Sequence, residues 1–269
     1  MPTLIEIDDP EDPRIENYRA VRERDLVGRA GIFIAEGKVV VEKLIGSAEY
    51  RPHSMLIAAK RVQALGPLLT RLPDEVPVFT AAKPVLDAIA GFAMHRGILA
   101  VGRRTAAPTA DELLSTLRGP ADVLLLSGIA NHDNLGGIFR NAAAFGAAAV
   151  LLDSDCCDPL YRKAIRVSVG AALMVRHARL SRGEDALALL AGHDFEPVAL
   201  SPAGAALLAN WRPGPRNAVL LGAEGPGLSP DLINRARSLR IEMAGDFDSL
   251  NVATTSGIVL HHLTTAKRR

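Results

Sequence analysis

Six apolar runs in the second half of the chain constrain its fold more than any other feature. They are ADVLLLSG (121–128), AAAVLLD (147–153), ALMVRHARL (172–180), FEPVALS (195–201), NAVLLGAE (217–224) and LRIEM (239–243). Nearly continuous Val/Leu runs suit parallel strands buried on both faces, since a half-exposed strand would alternate apolar with polar residues. Helical stretches such as IFRNAAAFG, EDALALLAGH and SPDLINRAR separate them. A parallel α/β sheet is therefore predicted.

The first half alternates as well, with shorter strands. IFIAEG (32–37), SMLIAA (54–59), VPVFTA (76–81) and GILAVGRR (97–104) read as strands. Residues 14–29, with Ile15, Tyr18, Val21 and Leu26 at helical spacing, and residues 38–45, 62–72 and 84–92 read as helices. The expected organisation is a small α/β domain over 1–105, a Pro-bearing linker over 106–120 and a parallel α/β domain over 121–269.

Composition narrows the function. With 269 residues, 48% of them hydrophobic, the chain can bury a sizeable core and is not disordered. Lys+Arg 31 against Asp+Glu 30 gives a net charge of +1, which argues against a surface coated in basic side chains for indiscriminate nucleic-acid binding. Aromatic residues, at 4%, are too few for a surface built mainly to stack bases. The charge is unevenly spread, however. Residues 51–104 carry eight Lys/Arg and three Asp/Glu, and 156–182 carry six against one, while the first thirty residues are net acidic. Such stretches are either solvated faces or patches that meet phosphates.

The two cysteines, Cys156 and Cys157, are adjacent and suit a reduced, cytoplasmic protein rather than a disulfide scaffold. No zinc spacing is present, and His261–His262 on the last helix reads as surface or packing, so no metal is expected. The acidic N-terminus is not a secretory signal. The longest apolar run, Ala142 to Leu152, is too short to cross a bilayer.

Three segments place polar residues where buried strands run into loops, the usual position of sites in open parallel sheets. NHDNLGGIFRNAAAFGA (131–147) carries Asn134, two glycines that permit close backbone approach, and Arg140. A helix start capped by Asp133 or Asn134 would explain it equally well. LLGAEGPGLSPDL (220–232) sets Glu224 amid Gly222, Gly225, Pro226 and Gly227, ahead of Ser229-Pro230 as cap and first helical residue. A turn explains the glycines but not a carboxylate at their centre. RIEMAGDFDSLNVATTSGIVLHHL (240–263) places Ser249-Leu250-Asn251 before the final helix, with Val252 leaving a capping box incomplete. No phosphate-loop or dinucleotide fingerprint is present.

In this order the three segments resemble the SpoU (TrmH) family of RNA ribose 2′-O-methyltransferases, within the SPOUT class. Asn134…Gly136…Arg140…Phe145-Gly146 is similar to its first motif, Gly222-Ala-Glu224-Gly225-Pro-Gly227 to its second, and Ser249-Leu-Asn251-Val with Gly257-Ile to its third. Asp158…Arg166…Ser168-Val-Gly170 is similar to the segment joining the first two. Asp248 and the ATTS stretch after Val252 depart from the commonest pattern of the third. The first half is more weakly similar to the family's small ribosomal-protein-like substrate-binding domain, through Asn17, Arg29, Phe33-Ile-Ala-Glu36-Gly37 and Arg96-Gly97-Ile98.

The resemblance implies a deep trefoil knot in the C-terminal domain, S-adenosylmethionine held in that knot, a homodimer formed through that domain, and ribosomal or transfer RNA as substrate. It implies catalytic roles for Asn134, Arg140, Glu224, Ser249 and Asn251. Cofactor contacts fall on Leu200, Ser201, Gly222, Gly225, Ile241, Met243 and Leu250. Two other readings stay open: a non-catalytic RNA-binding protein that kept the fold, and an enzyme of the same class that modifies a base.

Overall fold

Short apolar runs in the first half pair into a mixed five-stranded sheet. The computed structural model describes residues 2–19, 26–27, 31–91, 93–105, 107–245 and 249–267. Strands β1 (Leu4–Ile7), β2 (Ile32–Glu36), β3 (Tyr50–Ala58), β4 (Val78–Ala81) and β5 (Ile98–Arg104) lie in the order β1-β4-β3-β5-β2. The sheet is parallel across β1, β4 and β3, and antiparallel where β5 pairs β3 and β2. Helices α1 (Lys38–Ile45), α2 (Gly66–Leu69) and α3 (Lys83–Ala90) connect them. Ile7, Ile34, Leu56, Phe79, Leu99 and Val101 form one side of its core. Phe33 faces Gly102 across the β2–β5 ladder, where an added Cβ would come within 2.4 Å of the ring.

Helix α1 spans the predicted residues, but two other helices do not form as expected. Pro13–Tyr18 makes tight 3-10 turns with Ile15 outside helical geometry. Residues 20–25 and 28–30, which carry Val21 and Arg29, lie outside the described residues. Segment 62–72 breaks into a 3-10 turn at Gln63–Leu65 and the single turn α2. Pro67 in the first turn of α2 can start a helix but not continue one from upstream. Strand β1 had no signal beyond Leu4, Ile5 and Ile7 among acids.

The six Val/Leu runs form the predicted parallel sheet, and an unpredicted two-residue strand at Ala206–Leu207 extends it to seven strands. They are β6 (Ala121–Ser127), β7 (Ala149–Leu152), β8 (His177–Arg179), β9 (Glu196–Leu200), β10 (Ala206–Leu207), β11 (Arg216–Gly222) and β12 (Arg237–Arg240), in the order β10-β12-β9-β11-β6-β7-β8. Every pairing in it is parallel. Its helices are α4 (Ala110–Ser115), α5 (His132–Phe145), α7 (Ala186–Gly192), α8 (Pro230–Asn234) and α9 (Val252–Ala266), with α6 (Arg162–Val167) falling between β7 and β8 in sequence. Leu113, Leu187, Leu190, Leu232 and Ile233 from α4, α7 and α8 pack with Val123, Leu125 and Leu220 on one face. On the other, α5 and α9 pack together. A Cβ on Gly137 would lie 2.8 Å from that of Ala253. Asn141 Nδ2 donates to the Ala253 carbonyl at 2.7 Å and to Ser256 Oγ at 2.9 Å.

The structure redraws the predicted boundaries. The chain forms two units, Met1–Ala106 with Leu160–Met174, and Ala107–Pro159 with Val175–Arg269. Segment 106–120 is no simple linker. Thr109 and Glu112 form a full capping box, and Leu113 and Leu114 are buried in the second unit's core. Segment 160–174, expected in the second domain, belongs to the first unit. There Arg162 donates to the buried Glu36 carboxylate at 2.9 and 3.1 Å, Lys43 Nζ reaches the Val169 carbonyl at 2.6 Å, and Gly170 rests on Val40. Val169 (φ 53) and Gly170 (φ 76) turn the chain, so the run predicted as a strand over 172–180 becomes a 3-10 turn at Ala171–Leu173 and a strand only at 177–179. The run at 239–243 pairs earlier, over 237–240, and leaves Ile241 and Met243 in the following loop.

Candidate functional site

The strand order of the second unit reverses between β6 and β11. The chain runs outward through β6, β7 and β8, then returns to build β9, β11 and β12 on the other side. In open α/β sheets the crevice outside the carboxyl ends at such a reversal is the common binding position. Two of the three motif segments leave β6 and β11 at that point.

Asn131 caps α5, its Oδ1 accepting from the Asp133 N–H at 2.8 Å and the Asn134 N–H at 3.3 Å. The cap is thus neither Asp133 nor Asn134. Asn134, only 7% exposed, is left with its amide for other partners. Its Nδ2 donates to Glu224 Oε1 at 2.7 Å. Asn251 caps α9 through its oxygen, which accepts from the Ala253 and Thr254 N–H groups. Its Nδ2 donates to Asn134 Oδ1 at 2.8 Å and to Glu224 Oε1 at 3.1 Å. One carboxylate oxygen therefore receives two amide donors, and each amide is fixed in orientation by the others.

The turn after β11 explains the glycines around that carboxylate. Gly225 (φ 86) and Gly227 (φ 69) adopt left-handed backbone, and an Ala223–Gly227 bridge closes the loop. A Cβ on Gly222 would sit 2.3 Å from the backbone of Gly227 and Leu228. Glu224 is held at the loop's apex.

Arg140 does not join this cluster. It lies six residues beyond Asn134, about 120° round the helix, is exposed, and makes no hydrogen bond among the described residues. Ser249 is exposed, two residues ahead of Asn251; Asp248 lies outside the described residues.

Three of the residues predicted to contact a cofactor, Leu200, Ser201 and Gly222, lie at the carboxyl ends of neighbouring strands. Leu200 ends β9 in register with Leu239 of β12, and β9 neighbours β11, which ends at Gly222. Ser201 donates its N–H to the Leu239 carbonyl at 3.0 Å, and Ala205 donates to Ser238 Oγ at 3.1 Å. Arg240 donates to the Gly204 carbonyl at 2.8 Å. A Cβ on Gly204 would lie 2.3 Å from Leu239, so the 201–206 loop presses directly on β12. Ile241 and Met243, in the loop that follows β12, are half-buried, and Leu250 is 38% exposed.

Two further residues hold the loops after β6 and β7. Asn131 could have been found as an Asx residue just ahead of a helix. Asp153, which ends the run AAAVLLD, accepts from the Gly128 N–H at 2.9 Å and from the Asp155 and Cys156 N–H groups at 3.0 Å. Burial alone would raise its pKa, but these donors and the Ser127 hydroxyl outweigh it and hold the carboxyl below the usual aspartate range. Burial pushes the Cys156 thiol up to about 12 and Cys157 up to about 11, which leaves both as weak nucleophiles. His261 packs edge-on to Phe145, and His262 stacks on Trp211, as packing residues do. Among the described residues no group of three or more His, Cys, Asp or Glu could hold a metal ion, and no helix is long and apolar enough to cross a membrane.

Residues 122–261 match the SpoU rRNA methylase family. The chain belongs to that family and is an RNA methyltransferase. Among its relatives, an uncharacterized tRNA/rRNA methyltransferase of Mycobacterium bovis is 35% identical over 95% of this chain and 90% of its own length. The 23S rRNA (guanosine-2′-O-)-methyltransferase RlmB of Photobacterium profundum is 34% identical over 73% of this chain and 82% of its own. Two solved structures share the fold. An AdoMet-bound rRNA methyltransferase from Sinorhizobium meliloti superposes with a TM-score of 0.81 at 23% identity, covering 98% of each chain. The SpoU methyltransferase AviRb from Streptomyces viridochromogenes, in complex with AdoMet, gives 0.81 at 21%, covering 96% of this chain and 98% of its own.

Proposed function

We propose that this protein transfers a methyl group from S-adenosylmethionine to a ribose 2′-hydroxyl of ribosomal or transfer RNA in the cytoplasm. The observation that carries the reading is the Asn134–Glu224–Asn251 cluster at the reversal point of a parallel sheet. The predicted cofactor residues fit the donor. Half-buried Ile241 and Met243 and the part-exposed Leu250 offer an apolar bed for adenine. The loops at Leu200–Ser201 and Gly222–Gly225 offer backbone groups for ribose and the amino-acid end, with open space around the Gly225 α-carbon. When bound, S-adenosylmethionine supplies an electrophilic methyl.

This chain's residues then act by position. The amides of Asn134 and Asn251, locked through Glu224, orient the ribose, and Ser249 shapes the approach. Arg140 is too weak an acid to serve as a base and holds the adjoining phosphate by a bidentate contact. Because Arg140 faces away from the cluster on its own chain, the reading includes a homodimer through the C-terminal domain, in which each copy's Arg140 serves its partner's cluster. Exposed Ile258 and Leu250 supply apolar surface for such an interface. The pressing of the 201–206 loop on β12 supports the trefoil knot expected of the resemblance, and the mixed-sheet unit is read as the substrate-binding domain.

The test is incubation with methyl-tritiated S-adenosylmethionine and bulk RNA, then alkaline hydrolysis. Label in alkali-stable dinucleotides is expected, because a 2′-O-methyl group blocks attack on the adjacent phosphate. Label in mononucleotides would mean base modification, and no label would mean a non-catalytic RNA-binding protein.

A further inference from the structure

The mixed-sheet unit carries a pair of arginines laid over two glycines at one end of the sheet. Gly37, after β2, donates its N–H to the Ile98 carbonyl, and Gly97, before β5, accepts from the Ala58 N–H, so the two glycines close adjacent strand ends. Both have left-handed backbone, at φ 92 and φ 59. The Arg96 side chain runs across Gly37, where an added Cβ would meet its Cδ at 2.9 Å and its Nη1 at 3.1 Å. The Arg61 side chain runs across Gly97 in the same way, with Cδ at 2.9 Å. Arg61 Nη1 donates to the Arg96 carbonyl, joining the two. A side chain at either glycine would displace the arginine above it.

The platform is fixed from beneath. Met94 is 2% exposed, and its N–H donates to Asp87 Oδ1 at 2.8 Å, which ties the loop carrying His95 and Arg96 to α3. Lys60 and His95, the residues preceding Arg61 and Arg96, are exposed. Glu36, the nearest carboxylate in sequence to Gly37, is held by Arg162. Among the described residues no carboxylate pairs with Arg61 or Arg96. Two arginines are thus held at adjacent strand ends without a carboxylate partner, an arrangement that an anion relieves. Arg96 is exposed and Arg61 partly so, which leaves both within reach of a ligand.

We infer that Arg61 and Arg96, flanked by Lys60 and His95, form a docking platform for an unpaired segment of substrate RNA, taking a phosphodiester on the guanidinium edges and a splayed-out base on a guanidinium face. Arginine suits both tasks, and sequence-specific RNA recognition targets unstacked bases of loops and bulges. The inference rests on the proposed RNA-modifying function and names part of how the substrate is held.

The test uses the full chain and a fluorescein-labelled RNA hairpin with a seven-nucleotide loop, followed by anisotropy against salt. Arg96→Ala is the decisive variant, because that guanidinium makes no hydrogen bond among the described residues and its removal leaves the fold intact by circular dichroism. A loss of about tenfold in affinity is expected, with the salt slope reduced by about one. Arg61→Ala behaves alike, and Arg51→Ala, at the other end of β3, changes affinity less than about threefold. Affinity within twofold of wild type for Arg96→Ala overturns the inference. So does an equal tenfold loss for the same stem closed as a blunt duplex, since the platform would then not read unpaired RNA. A poly-glutamate peptide that displaces the hairpin as well as unlabelled RNA does would assign the platform to acidic proteins instead. Methyl transfer by the same preparations separates the two readings. Transfer to 2′-oxygen with hairpin binding unaffected by Arg96→Ala rejects the platform alone, whereas absent transfer with an Arg96-dependent hairpin rejects the proposed reaction alone.

Discussion

Glu224 is the point at which the cluster is most sensitive. Its Oε1 takes the Asn134 and Asn251 amides at 2.7 and 3.1 Å. A hydrogen bond to a charged group contributes about 1.5–3 kcal/mol, and exposure of Glu224 places its bonds at the lower end. Glu224→Ala also leaves the largely buried Asn134 amide without its acceptor. If these bonds orient the reacting ribose, Glu224→Ala lowers kcat by roughly 2–3 kcal/mol, or about 30- to 150-fold, with cofactor affinity little changed. Asn251→Ala removes the second donor and the bond to Asn134. Because the Glu224–Asn251 bond is common to both variants, the double variant should fall short of the product of the two losses by about tenfold. The assay is initial-rate methyl transfer with saturating cofactor, alongside calorimetric titration of S-adenosylmethionine and a thermal melt of each variant. Losses that multiply to within twofold would show that the two residues act independently and would refute the shared-acceptor argument.

Arg140→Ala should abolish methyl transfer while leaving cofactor affinity within about threefold; an equal loss of cofactor binding in the calorimeter would remove the phosphate-holding role. Asp153 has a lowered folded pKa, so its contribution to stability is present above the unfolded aspartate value near 4 and is lost as pH falls through the folded value. Asp153→Asn should therefore flatten the fall in stability on acidification below about pH 4, and urea melts that keep the wild-type slope there would contradict it. Gly102→Ala should destabilise by about 1–3 kcal/mol through displacement of the Phe33 ring, read as a lower Tm by calorimetry; an unchanged Tm would mean the ring has room to move.

The parallel sheet was legible because its strands are buried on both faces, so Val123 to Leu126 or Ala218 to Leu221 leave no alternation to confuse with a helix. Helix α1 was legible from Val40, Val41 and Leu44 on one face. Boundaries were less so. A run such as 172–180 is apolar throughout, and only the positive-φ pair Val169–Gly170 and pairing with β7 decide where its strand starts. The site residues were singled out individually, yet the contact between the two asparagine amides was not. Asn134 and Asn251 are 117 positions apart, and which of Asn131, Asp133 and Asn134 caps the helix depends on where the chain leaves β6.

The first unit is discontinuous in sequence, and that has a consequence for synthesis. Its sheet is complete by residue 104, but the segment that supplies Arg162 to the buried Glu36 carboxylate leaves the ribosome roughly 70 residues later, on the order of 3–14 s at ordinary elongation rates. For that interval Glu36 has no cation from this segment, and the carboxylate cannot take up its final buried position without the partner that offsets its desolvation. The chain's first half therefore waits on its second to finish folding, and a fragment ending near residue 106 would be a poorer stand-in for the unit than its strand count suggests.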